Sequence, residues 1–240
     1  MCYHVSVKKT KTELEKRFNA KFEKPNLFKP IYYANGFDMP KIPVITEDKP
    51  DKIQLFYWGL IPHWIKDEES AKKISAQTLN ARAESVFDKP SFRSPIRKQR
   101  CLVLIDGFYD WRTFKGKKYP YYIQLKDNDA FALAGIWDKW HYKEKNKKLD
   151  TFSVITTDAN EFVGKIHNIK KRMPVILDNK EERIWLEKEV DDDLLKQLMD
   201  PYPSDKMKAY TISKLITTHG VKRNVPQIMN EFKYEVLPSI

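Results

Sequence analysis

The residues with the most distinctive chemistry stand at the very start of the chain, Met1-Cys2. Removal of the methionine leaves Cys2 with an α-amine and a thiol on adjacent carbons, a 1,2-aminothiol. Such a group traps aldehydes: the amine condenses to an imine, and the thiol adds across it to close a five-membered thiazolidine. The terminus outcompetes lysine for this step. With pKa values of ~7.8 and ~10.4, the neutral fraction at pH 7 is roughly a tenth against a few parts in ten thousand. The plainer reading of Cys2 is a small residue compatible with methionine removal.

Three other places carry residue types suited to catalysis or binding. Leu79-Asn80-Ala81-Arg82-Ala83-Glu84 alternates small and polar residues. Extended, it puts Asn80, Arg82 and Glu84 on one face and the alanines on the other; the alternative is a solvated strand edge with an internal ion pair. Asp110 lies between Tyr109 and Trp111, where desolvation raises a carboxyl pKa toward usefulness as an acid or base. His167 falls at or just past the end of a predicted helix, where the helix dipole favours imidazolium. A polar basic loop, Asn168 to Arg172, follows it into Met173-Pro174. A lone histidine is more often structural, and the residues alone leave both readings open.

Composition narrows the setting. The 240 residues, 41% of them hydrophobic, suffice for a full core. Lys+Arg number 44 against 33 Asp+Glu, a net charge of +11, which suits a polyanionic partner, most often nucleic acid. The lysines are spread widely, so charge by itself does not settle the partner. Two cysteines without a secretory leader argue against a disulfide framework. The absence of CxxC or paired histidines argues against zinc, and no cofactor is expected. The start lacks the apolar run of a signal peptide, and nothing approaches the ~20 apolar residues of a membrane span. A reducing, cytoplasmic setting is expected.

The elements that must position these groups are partly legible. Val5 and Val7 predict a short strand leading from Cys2. Thr12 to Glu15 matches a capping box, with Leu14, Phe18 and Phe22 on one helical face. The proline-interrupted stretch from Pro25 to Pro50 predicts loops and short strands lining a site. Strands are predicted over 53–59, 100–105 and 121–125, then over 131–137, 152–156 and 210–212. Residues 106–111 continue the second of these, with a bend at Gly107 that brings backbone close to a ligand. Helices are predicted over 70–78, from Asp158 through Ile166, from Asp178 to about Lys188, and from Asp191 through Leu198. The segment from Lys139 to Lys148 reads as an exposed loop. The sum is one α+β domain over residues 1–240, with many short strands around about five helices.

With these pieces placed, the chain resembles the SRAP family, SOS-response-associated peptidases that act as abasic-site DNA-crosslinking proteins. Four blocks carry the resemblance: Met1-Cys2, Asn80-Ala81-Arg82-Ala83-Glu84, Gly107-Phe108-Tyr109-Asp110-Trp111, and His167 followed by Arg172-Met173-Pro174. They stand in the family's order at near-family spacing, from Cys2 to about Pro226. The resemblance implies a mixed, barrel-like β core with flanking helices and a covalent sensor of abasic sites in single-stranded DNA. It assigns thiazolidine formation to Cys2, orientation of the sugar to Asn80, and acid–base work in ring opening and crosslink reversal to His167. It places Arg82 and Arg172 on flanking phosphates and Trp64 against a base, a stacking contact worth ~1–3 kcal/mol.

Three departures stand out. Tyr3-His4 replaces the family's usual glycine-arginine, leaving His4 as a partial substitute on DNA. Asp110 stands where the family has glutamate, one methylene longer. The segment between His167 and Arg172 has three more residues than the shortest family form, and it carries Lys170 and Lys171. Two other functions remain open: an N-terminal-nucleophile thiol hydrolase or peptidase using Cys2 with His167 as base, and a non-catalytic nucleic-acid-binding module. A monomer is expected.

Overall fold

A computed structural model describes residues 2–218 and 220–240; Met1, whose removal is expected from the sequence, lies outside the described residues. The first half of the chain forms β1 (His4–Val7), α1 (Lys11–Phe18), β2 (Lys21–Phe22), β3 (Ile31–Asn35), β4 (Lys41–Thr46), β5 (Lys49–Trp58), α2 (Glu68–Gln77) and β6 (Asn80–Arg82). There follow α3 (Pro95–Lys98), β7 (Arg100–Ile105), β8 (Gly107–Phe114), β9 (Lys117–Leu125), β10 (Phe131–Tyr142) and β11 (Lys147–Asp158). The remainder is α4 (Glu161–Ile166), β12 (Arg172–Pro174), β13 (Ile176–Leu177), α5 (Asn179–Leu186), α6 (Asp192–Gln197) and β14 (Met207–Thr211).

Five strands close on themselves in the order β5-β4-β7-β10-β11, with β11 returning to β5 in parallel. This ring is the barrel, and its walls explain the sequence pattern. All six residues of β7 and the first eight of β10 are buried, as expected of strands covered on both faces. Helix α5 supplies part of the cover: Trp185 is fully buried and its Nε1 donates to the carbonyls of Cys101 and Gly135. A second sheet, β14-β9-β8-β1-β3, holds the amino-terminal strand between two others. The α+β, barrel-like class expected from the sequence is the class observed.

Several local expectations are corrected. The capping box belongs to Thr10 and Glu13, two residues earlier than Thr12 and Glu15. Asn19, in the left-handed region at φ 48°, ends α1 before Phe22, which lies in β2. Between Pro25 and Pro50 the short strands β3 and β4 alternate with 3-10 turns and loops, as expected. Pro43 is tolerated in β4 because pairing with β7 begins only at Val44, so its missing N–H removes nothing from that ladder. The supposed loop 139–148 is the far end of the β10–β11 hairpin, paired as far as Tyr142 and Lys147. Asp158 is the last residue of β11, and Asn160 caps α4 instead. Among the described residues the α-helices number six, because the four residues of α3 gave no periodic signal.

Candidate active site

Sheet register brings the reactive start of the chain to Asp110. Strand β1 runs antiparallel to β8 with Val5 opposite Phe108 and Ser6 opposite Gly107. Continuing that register by two residues sets Tyr3 level with Asp110. Tyr3 is fixed from the other side, its carbonyl accepting from Gly36 N at 2.8 Å. Cys2 is buried at 1% exposure. Burial pushes its thiol up to about 12, and the nearby Asp110 charge adds to the rise.

What holds β1 in place is a carboxylate that the motif reading did not single out. Asp106 is buried and accepts from Ser6 Oγ at 2.6 Å, Lys8 N at 2.5 Å and Lys9 N at 2.8 Å. The Tyr122 hydroxyl joins the cluster, 2.9 Å from Ser6 Oγ. Gly107 is required here for a reason other than the one expected. A Cβ on it would sit 2.2 Å from the Tyr122 hydroxyl, so the close approach is to Tyr122 and not to a ligand.

Asp110 and His167 form a pair. His167 caps α4 as expected. Its Nδ1 donates to the Arg172 carbonyl at 2.8 Å and lies 3.3 Å from Asp110 Oδ2. A carbonyl only accepts, so Nδ1 carries a proton. Asp110 is buried at 8% exposure, and its Oδ1 accepts from Trp111 N at 2.8 Å. Burial raises its pKa above the usual carboxylate value, and the attraction of His167 only partly offsets this.

This pair lines a cleft of about 880 Å³ with Tyr3, His4, Trp111, Lys118, Ile169, Lys170 and Lys214. Lysines and aromatic rings beside one carboxyl make it suited to an anionic ligand. Among the described residues, Lys118, Lys170 and Lys214 form no ion pair. Lys118, Lys214 and Ile169 were not singled out from sequence, since isolated lysines and an isolated isoleucine carry no motif.

The remaining candidates are placed as follows. Asn80 opens β6, which runs parallel to β11 with Asn80 beside Val154 and Arg82 beside Thr156. The Asn80 side-chain oxygen and nitrogen are both buried with no hydrogen-bond partner among the described residues. An unmet buried polar group costs about 1–3 kcal/mol, so this amide is poised for a ligand. Arg82 is exposed, and its charge reaches Tyr3. Glu84 is not on the Asn80 face of a strand: it lies in the 3-10 turn Ala83–Ser85.

Arg172 stands on the opposite flank of β11, paired with Asp158 in register. Its guanidinium is already engaged. It binds both Glu84 oxygens, one at 3.1 Å, then Asp158 Oδ1 at 2.9 Å and the Thr156 carbonyl at 2.6 Å. The bond from Arg172 in turn holds the Glu84 carboxyl below its ordinary value. His4 lies 2.9 Å from the Tyr33 hydroxyl through Nδ1 and stacks on that ring. Burial, with help from the Arg223 charge, pushes its pKa down to about 4. At neutral pH it is therefore uncharged and offers a phosphate a hydrogen bond and not an ion pair. Trp64, 49% exposed, sits on the loop after β5, outside the cleft wall.

No cluster of three or more metal-ligating side chains occurs among the described residues, and no helix there is long and apolar enough to cross a membrane. The family model described as SOS response associated peptidase (SRAP) matches residues 1–219. The abasic site processing protein YoqW of Bacillus subtilis (strain 168) is 41% identical over 188 residues, 78% of this chain and 80% of that protein. Abasic site processing protein HMCES of Gallus gallus is 35% identical over 150 residues, 54% of this chain and 44% of that protein. A crystal structure of a protein from Bacteroides thetaiotaomicron has a TM-score of 0.90 at 38% identity, covering 97% of this chain and all of that one. With the family model running from the reactive terminus through β14, the chain belongs to the SRAP family.

Proposed function

We propose that the protein captures abasic sites in single-stranded DNA as a covalent adduct through Cys2. The observation that carries this reading is the convergence of Cys2, by way of β1, on the Asp110–His167 pair at the wall of a lysine-lined cleft. Relatives that are named abasic site processing proteins support the substrate. An abasic deoxyribose is in equilibrium with an open aldehyde, the electrophile that a 1,2-aminothiol traps.

The chemistry follows from the groups present. Removal of Met1 exposes the Cys2 amine. His167, its Nδ1–H held by the Arg172 carbonyl and Asp110, serves as the proton shuttle of ring opening, in which the ring oxygen gains a proton and the C1′ hydroxyl gives one up. The neutral amine attacks C1′ of the aldehyde, and loss of one water gives the imine. Asp110, whose raised pKa makes it a better base than a surface carboxylate, accepts the proton the amine sheds. Sulfur then adds to the imine carbon while the thiol proton moves to nitrogen, closing the thiazolidine. Net, one water is released and no redox partner is needed. The unmet Asn80 amide offers a donor and an acceptor to the sugar hydroxyls. Arg82, exposed, holds a flanking phosphate, and Arg172 acts chiefly by ordering Glu84 and the end of β11. Trp64 offers its exposed ring to a base further along the strand.

The test is incubation of purified protein with a single-stranded oligonucleotide bearing one abasic site, followed by a denaturing gel. A retarded band that survives denaturant, is absent for Cys2→Ala, and has the mass of the protein without Met1 plus DNA less one water is expected. Binding that salt reverses, with no such band, would overturn the reading in favour of a non-covalent module. Turnover of peptide amides without the band would favour a thiol hydrolase.

A further inference from the structure

Beside His167 stands a loop that the proposed chemistry does not use. Residues 168–171 are pinned at both ends. Asn168 clasps the β8 edge through both polar atoms: its Oδ1 accepts from Thr113 N at 3.0 Å and its Nδ2 donates to Thr113 O at 2.8 Å. Lys171, in the left-handed region at φ 47°, donates from N to the His167 carbonyl at 2.9 Å. Its own carbonyl accepts from Ala159 N at 2.9 Å. Between these anchors Ile169 is 70% exposed, more than any other large apolar side chain among the described residues, and it lines the cleft beside Asp110 and His167. A β-branched side chain with a stiff χ1, on a loop tied to a strand, projects from a fixed base.

We propose that Ile169 is a specificity residue that fills the space where the base is missing; this rests on the abasic-site reading. The reacting atom of an abasic nucleotide is C1′, the atom from which the base would spring. The void therefore begins at the point of attack, and whatever fills it must project from beside the groups that touch C1′. Ile169 is two residues from His167 and shares its cleft. The walls of the void are the faces of the two neighbouring bases. These are apolar, so an aliphatic wedge is stable there, as it is between base steps elsewhere. A nucleotide that retains its base has no room for the side chain, so the wedge discriminates lesion from intact strand without a hydrogen bond.

The experiment compares wild type, Ile169→Ser and Ile169→Val on two single-stranded oligonucleotides. One has an abasic site flanked by 2-aminopurine, and the other has 5-formyluracil, an aldehyde borne on an intact base. Ile169→Ser should form the abasic adduct about tenfold more slowly, the change equivalent to roughly 1.4 kcal/mol of lost apolar contact. It should lose the 2-aminopurine fluorescence change on binding and react faster than wild type with 5-formyluracil, whose base no longer meets the side chain. Ile169→Val should restore rate and fluorescence change. Wild-type rates for Ile169→Ser on the abasic strand, or equal slowing on both substrates, overturn the wedge while adduct formation by wild type leaves the proposed function standing. No adduct with wild type overturns both.

Discussion

Replacing Asp110 with asparagine tests the proposed proton transfer and the cost of burying the carboxyl assigned to it. The carboxyl is buried, and burial outweighs the attraction of His167, 3.3 Å away, so its pKa lies above the ordinary 3.8. For catalysis the ionised form is the useful one. The wild-type rate of adduct formation should therefore rise with pH through that elevated pKa, and again through the amine at ~7.8. In Asp110→Asn the lower limb should vanish. The amine limb should remain and move to lower pH, because a neighbouring negative charge no longer favours the ammonium form. General acid–base groups contribute about 10²–10⁴-fold. A loss near the lower figure is expected, since His167 can relay a proton in its place.

Stability should change in the other direction. A carboxyl whose folded pKa is raised binds its proton more tightly when folded, so stability is greatest at low pH. It declines as pH climbs from about 3.8 to the elevated value. The neutral amide removes that decline, so Asp110→Asn should melt higher than wild type at pH 7, by about 2–4 °C for each kcal/mol recovered. Stopped-time crosslinking from pH 4 to 9 and thermal melts over the same range read both effects. A variant that keeps the acid limb at an undiminished rate would refute Asp110 as proton acceptor. One that melts lower at pH 7 would refute the burial argument.

Intact mass measurement of active protein should show Met1 absent, because an acylated amine cannot form the imine; active protein retaining Met1 would exclude the thiazolidine route. Cys2→Ser should lose the stable adduct, while borohydride still traps an imine. Arg82→Ala should flatten the log–log salt dependence of single-strand binding by about 0.7, one phosphate contact. Glu84→Gln should steepen it by up to about 0.7, because it releases Arg172 from its closest carboxylate; filter binding across salt concentrations reads both. Asp106→Ala should lower stability by roughly 3 kcal/mol, since the N–H groups of Lys8 and Lys9 and the Ser6 hydroxyl lose their acceptor. Calorimetry should show a fall of about 6–12 °C.

The parts of the fold legible in the sequence are those set by local pattern. The apolar run of β7 and the start of α5 at its Asp178 cap lie where they were expected. What was not legible depends on partners far along the chain. Nothing between residues 139 and 148 signals a strand, because the pairing of Lys139 with Asp150 and Trp140 with Leu149 creates it. Asp158 and Asn160 offer equally good caps, and the choice falls to Asn160 because β12 pairs through Asp158 and keeps it in the sheet. Among site residues, Cys2, Asp110 and His167 were visible as motifs. The engagement of Arg172 by Glu84 and Asp158 was not, since Asp158 meets it only through the β11–β12 pairing and Glu84 reaches it across β11 from the turn after β6.

Two carboxyls four residues apart, Asp106 at the bend before β8 and Asp110 within β8, divide the work of the amino terminus between them. Asp106 and Asp110 are both buried, and burial raises the pKa of each. Asp106 is supplied with donors from Ser6, Lys8 and Lys9, all on or just after β1, so its role is to hold that strand. Asp110 receives one backbone N–H, from its own neighbour Trp111, and the imidazole of His167. Its proton is thus less firmly disposed of, which is what a group that must take and return one requires. The Asn80 amide on β6, with no hydrogen-bond partner among the described residues, is undersupplied in the same way. Unmet polar demand is therefore concentrated where a ligand would answer it, while the strand carrying the nucleophile is secured elsewhere. The consequence is a crossed pattern. Asp106→Ala should lower the melting temperature and reduce adduct yield without shifting the pH profile of what remains. Asp110→Asn should shift the profile without lowering the melting temperature. If both variants moved both quantities alike, the two carboxyls would be acting as one structural unit and the division would be wrong.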